Sequence, residues 1–184
     1  MNNTIIYLTG HAGVGKLTVA QAIAESTGAR IVDNHAVNNP IFRLIRLYRN
    51  EPLPDAVWDR VEEVRAAVLE TIATLSPADW SFVFTHVALD HPDDIAVYHA
   101  IRRTAERRDA RFLPVRLTCD LDELIRRIAM PERRALLKDI SPANAREDYQ
   151  KPLLALDEPD AVDLDITRID PTEAANRIVA AAER

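Results

Sequence analysis

Three of the four glycines in this 184-residue chain fall within six positions, at Gly10, Gly13 and Gly15, and a lysine follows directly. The fourth is Gly28, and residues 29 to 184 contain none. Lysine is nearly as scarce: the 23 basic residues include only Lys16, Lys138 and Lys151, so the other twenty are arginines. Glycine concentrated in one turn marks backbone conformations that a Cβ would forbid. The spacing Gly-x-x-Gly-x-Gly-Lys suits the holding of a polyphosphate. Its N–H groups turn inward as an anion nest, the helix that follows adds partial positive charge, and the lysine ammonium reaches the outer phosphates. Gly10, His11, Ala12, Gly13, Val14, Gly15, Lys16, Leu17 and Thr18 are thus the expected nucleotide-binding residues. The strict pattern has Ser or Thr directly after the lysine, as a ligand for Mg²⁺. Here Leu17 takes that place and the hydroxyl comes one later, so Thr18 is expected to hold the metal indirectly, through water.

The elements around the loop agree with this purpose. Thr4-Ile5-Ile6-Tyr7-Leu8-Thr9 is a β-rich apolar run of the kind that forms a buried parallel strand. Leu17 to Glu25 carries apolar residues at 17, 20, 23 and 24, one helical stripe, and Gly28 sits where a left-handed residue would end that helix. Strand, loop and helix in this order make a P-loop in its confirming context. Further strands are expected at 29–33, 80–85, 111–118 and 164–167, with Pro114 favouring a bulge in the fourth. Residues 33–40 read as a polar loop, followed by a helical stretch from Phe42 to Tyr48. Longer helices are expected from Asp55, as cap, to about Leu75, from 93 to 108 and from 122 to 130. Asp170-Pro171-Thr172-Glu173 has the N-cap, first-turn proline and N3 acid of a last helix. Alternating strands and helices predict an α/β fold of three layers, a mostly parallel five-stranded sheet with helices on both faces. In such sheets ligands bind beyond the carboxyl ends of the strands, where Gly10–Thr18, Asp33 and Thr85 fall.

Composition narrows the function. Twenty-nine acidic residues against 23 basic give a net charge of −6, which offers nucleic acid no general footing. No apolar run approaches the roughly 20 residues of a membrane-spanning helix. A single cysteine, Cys119, excludes an internal disulfide and a cysteine zinc cluster. The histidines show no metal-ligand spacing on a common helix face. The N-terminus lacks a basic flank and a cleavage site, so a cytoplasmic protein is expected, as monomer or homodimer. No linker divides the chain, and 1–184 is expected to be one domain.

With these motifs the sequence resembles the small P-loop kinases, among them shikimate kinase, gluconate kinase and adenylate kinase. Gly15-Lys16-Leu17-Thr18 is similar to the loop ending of adenylate kinase, where glycine stands in the place of Leu17. The resemblance covers most of the chain as a layout and is specific at the P-loop. It implies an ATP- and Mg²⁺-dependent phosphotransferase acting on a small hydroxylated molecule. It also implies an acceptor region at about 34–60 and an arginine-bearing lid at about 126–150. Asp33 matches the acid that contacts the acceptor in shikimate kinase, with Asn34 and His35 beside it. Arg126, Arg127, Arg133 and Arg134 fall where lid arginines clamp the transferring phosphate, Arg127 and Arg133 foremost, and Arg168 falls at the adenine pocket. Thr85-His86-Val87-Ala88 replaces a glycine-rich turn, which argues against shikimate itself. No acid ends strand three, which favours a kinase over a hydrolytic motor. Two alternatives stand beside this reading. One is a nucleotide-binding regulatory module or slow ATPase. The other is a nucleotide kinase, for which Arg43 and Arg46 are the nearby cations.

Overall fold

A computed structural model describes residues 1–46, 53–130 and 141–184. The chain forms β1 (Thr4–Thr9), α1 (Lys16–Thr27), β2 (Arg30–Asp33), α2 (Asn34–Phe42), α3 (Asp55–Thr74), β3 (Phe82–Thr85) and α4 (Pro92–Arg107). Then follow β4 (Arg111–Thr118), α5 (Leu121–Ile128), α6 (Pro142–Asp148), β5 (Val162–Asp165) and α7 (Pro171–Ala182). The five strands make one sheet in the order β2-β3-β1-β4-β5, every pair parallel. This is the expected α/β architecture.

β1 is central, and its residues Ile5 to Leu8 are wholly buried. Side chains alternate across a strand, so its apolar run feeds two cores. Ile6 and Leu8 pack with Val19 and Ile23 of α1 and Ile178 of α7. Ile5 and Tyr7 pack on the other face with Leu69 and Ile72 of α3 and Tyr98 and Ile101 of α4. A run that looks uniformly hydrophobic is therefore two half-cores, as a sheet covered on both sides requires.

Four local expectations need correction. Residues 34–40 are helical, not a loop: Asp33 is the extended N-cap, and α2 runs through Pro40. Val37 and Asn38 are buried, and the packing of α2 against α3 overrides weak helix propensity. The helix ends at Phe42, where one was expected to begin, and Tyr48 lies outside the described residues. Pro54, not Asp55, caps α3, and Asp55 is its first residue. Pro114 causes no bulge, since β4 pairs with β1 one-to-one from Arg111 to Arg116. β5 joins only from Val115 onward, so the proline precedes the stretch where β4 is paired on both sides. The last helix starts as expected: the Asp170 carboxylate accepts from Glu173 N–H at 2.9 Å.

The edge strands β2 and β5 are four residues each. β5 is tied to β4 by a two-pronged pair in which Arg116 donates to Asp163 at 2.6 and 2.7 Å. Truncation of the central core tests the two-sided packing. Ile6→Ala should lower unfolding free energy by about 2–5 kcal/mol. Urea denaturation would refute the packing if the loss were under about 1 kcal/mol, the level of a surface change.

Candidate active site

The P-loop joins β1 to α1, and its shape is set by what a Cβ would strike. Gly10 has φ +138°, and a Cβ there would lie 2.3 Å from the Leu117 carbonyl oxygen of β4. Gly13 has φ +92°, and its Cβ would meet Ile128 of α5 at 2.4 Å. The loop thus passes against β4 and α5 at a distance only glycine permits. Gly15 caps α1 in the left-handed region with no side-chain cap, and the first turn of α1 holds no acid. The positive end of the helix consequently meets the cleft with its own N–H groups. Lys16 bends over the loop, its Nζ donating to the carbonyls of Gly10 and His11 at 2.7 and 2.9 Å.

These residues open on a cleft of about 450 Å³ at the carboxyl edge of the sheet. The cleft brings together Ala12, Gly13, Gly15, Lys16, Leu17 and Thr18 with Asp33, Asn34 and His35 across from them. Asp33 and Thr85 end neighbouring parallel strands in register, and the Thr85 hydroxyl donates to Asp33 Oδ1 at 2.6 Å. Val14 is buried beneath the loop. His11 packs against Tyr149 with ring centroids 5.2 Å apart and planes tilted by 36°, and burial and the Lys16 charge push its ring below the ordinary histidine value.

Arg127 lies inside this site as a brace. Its Nε donates to Glu123 at 2.6 Å, its Nη1 to the Val14 carbonyl of the P-loop, and its Nη2 to Ile166 O at 2.8 Å. It still lines the cleft, so its guanidinium ties the loop, α5 and the end of β5 together at the cleft wall. Arg126 is exposed and forms a two-pronged pair with Glu123 at 2.7 Å. The two arginines, with the Arg126 hydrogen bond foremost, hold the Glu123 carboxyl down at about 2. Arg133 and Arg134 lie outside the described residues. Arg168 is exposed after β5. It sits next to Ile169, which lines a smaller recess with Thr18, Arg127 and Ile166. Arg43 is the C-cap of α2, and neither it nor Arg46 lines the cleft.

Sequence reasoning missed a second cavity of about 590 Å³, framed by α2, α3 and α4. It meets the first at Asn34, His86 and Val87. Buried Arg65 of α3 donates to Asn34 Oδ1 at 2.8 Å and to Glu62 at 3.0 Å. His86 joins two partners: the Tyr7 hydroxyl is 2.8 Å from Nδ1, and Asp94 lies 3.4 Å from Nε2. Burial drives the His86 ring below its ordinary value, against the opposing pull of Asp94. A neutral ring satisfies both partners when Tyr7 donates to Nδ1 and Nε2–H donates to Asp94. Burial works to raise the Asp94 carboxyl, but hydrogen bonds from His86 and from Leu89 N–H hold it below the usual 3.8. A signal existed: Asp55, Trp58, Asp59 and Glu62 share one helical face at i, i+3, i+4 and i+7.

No protein-family model matches the chain, and no curated protein sequence does. Solved structures do. A gluconokinase from Sinorhizobium meliloti is 20% identical with a TM-score of 0.66, over 99% of this chain and 93% of that one. The APS kinase of Mycobacterium tuberculosis, solved with AMPPNP and APS, is 16% identical with a TM-score of 0.64, over 100% and 99%. A shikimate kinase from Aquifex aeolicus is 15% identical with a TM-score of 0.52, over 98% and 96%. The chain has the fold of the small P-loop kinases of the shikimate and gluconate kinase type.

The buried neutral histidine sets a pH dependence. The unfolded chain binds a proton at His86 as pH falls below 6.5, whereas the folded ring resists it. The unfolded state then holds more protons, and stability drops with falling pH. His11 adds the same sign, and Asp94 stays ionised throughout the window. The unfolding free energy from urea titration should fall from pH 7.5 to 5.5, by at most about 1.4 kcal/mol per pH unit for each such histidine. His86→Gln should remove part of that slope. An unfolding free energy constant or rising on acidification would refute the buried neutral ring.

Proposed function

We propose that the chain is an ATP-dependent phosphotransferase that moves the γ-phosphoryl group to a hydroxyl of a small molecule. One observation carries the reading: Lys16 and the uncapped, glycine-bounded start of α1 open on the same cleft as Asp33. Gly10 to Thr18 hold the phosphates, Lys16 offsets charge on the group in transfer, and Arg127 borders it from α5. Arg168, after β5, borders the adenine side. The oxygen of the acceptor hydroxyl bonds to the γ-phosphorus, the bond from that phosphorus to the bridging oxygen breaks, and ADP leaves. Asp33 orients the hydroxyl and takes its proton, while Asn34 and His35 help seat the acceptor. Phosphoryl transfer rewards such positioning and charge neutralisation above all.

The donor set fits Mg²⁺. Among the described residues no three His, Cys, Asp or Glu side chains gather as a metal cage. Mg²⁺ takes few protein ligands and keeps waters and substrate phosphates, so the exposed Thr18 hydroxyl, acting through water, suffices. When bound, the ion spreads the charge of the β- and γ-phosphates. Among the described residues no helix is long and apolar enough to cross a membrane. The nucleotide-kinase reading is not favoured, because Arg43 and Arg46 fall outside the cleft.

Hydroxylated acceptors should stimulate ADP release from Mg·ATP, and Lys16→Ala should reduce that rate by about 10²–10³, as for loss of one preorganised charge-stabilising donor. Asp33→Asn should lower the rate while leaving ATP binding intact. Tight ATP binding with no stimulation by any acceptor would refute phosphotransfer and favour a regulatory module.

A further inference from the structure

The second cavity has a chemical preference. Its size lies within the roughly 300–1,000 Å³ usual for small-molecule sites, and it adjoins the phosphate cleft through Asn34 and His86. Among the described residues five carboxylates line it, from Asp55, Asp59, Glu62, Asp93 and Asp94, against the single guanidinium of Arg65. That guanidinium is engaged by Glu62 and Asn34. His91 is turned to its own helix, where Nδ1 accepts from Asp93 N–H at 3.4 Å.

Two features beyond the acids bear on the ligand. Asn38 is only 6% exposed, lines the cavity, and its Oδ1 has no hydrogen-bond partner among the described residues. A buried acceptor of this kind is destabilising unless a donor meets it. Trp58 is 47% exposed at the cavity wall, held edge-on by Phe42 at 5.7 Å, with Asp55 and Asp59 on its own helical face. An indole face beside carboxylates attracts cations. Unmet acceptor, acids and aromatic face all ask for a ligand rich in donors and positively charged.

We propose that this cavity binds an acceptor that is a hydroxylated amine, such as an aminated sugar, aminocyclitol or amino alcohol. The proposal rests on the phosphotransferase reading for its reaction, and the amine need not react. The ammonium sits among Trp58, Asp55 and Asp59, and a donor meets Asn38 Oδ1. A hydroxyl on the far side reaches past Asn34 towards Asp33, where phosphorus bonds to it as described above.

Two measurements keep the two readings separate. Transfer from labelled ATP is compared across aminated polyols, their neutral hydroxyl counterparts and polyol acids. Binding of the same compounds is measured calorimetrically in the presence of Mg²⁺ and a non-hydrolysable ATP analogue. Aminated polyols should bind about tenfold tighter than neutral ones and outcompete acids. Asp55→Asn/Asp59→Asn changes two exposed residues, spares the core, and should weaken amine binding about three- to tenfold more than neutral-polyol binding. Asn38→Leu should weaken both. Amine binding without transfer to any compound upholds the cavity's preference and overturns phosphotransfer. Transfer with acids preferred, or with no preference for amines, overturns the cavity's preference and leaves phosphotransfer standing. Binding of none of the three classes overturns the cavity's preference.

Discussion

The close approach of the P-loop backbone to β4 and α5 is the constraint on which the site depends. Gly10 presses on the Leu117 carbonyl and Gly13 on Ile128, so the loop is moulded against structure formed more than a hundred residues later. Arg127 then closes the arrangement by donating to Val14 of the loop and to Ile166 beyond β5. A loop of alternating left-handed glycines has little stiffness of its own. Its shape is imposed by α5 and β4, and the backbone donors are oriented before any ligand arrives. Under the proposed phosphotransfer, such preorganisation would give electrostatic stabilisation its value, because nothing would need to reorient.

Around that loop the chain separates its tasks by strand. β1 supplies the loop, β2 supplies Asp33, and β3 supplies Thr85, which holds Asp33 in place, while His86, directly after β3, begins the wall of the second cavity. Tyr7 of β1 reaches His86 from the core, so the buried sheet and the cavity wall are joined by one hydrogen-bonded chain ending at Asp94. Chains of this kind fix tautomer and ring orientation and leave a polar wall with a defined pattern of donors and acceptors.

How far this was legible in the sequence depended on whether a residue acts locally. Gly10, Gly13, Gly15 and Lys16 spell a P-loop within seven residues, and the apolar run from Ile5 to Leu8 declares a doubly covered strand. The cap at Asp170 was equally local. Residues 34–40 are helical despite a loop-like sequence because α2 packs on α3 and buries Val37 and Asn38, a tertiary fact absent from the segment itself. Arg127 was recognised, but its role as a brace depends on Val14 and Ile166, 113 and 39 residues away. Arg65 and His86 acquire meaning only when α2, α3 and α4 meet. Arg133, named as a clamp, lies outside the described residues.

The sheet's brevity at its margins has a colloidal consequence. β2 and β5 offer a neighbouring molecule only four residues of backbone each, and β5 carries two aspartates in that span. Short, charged borders give an intruding strand little to zip onto.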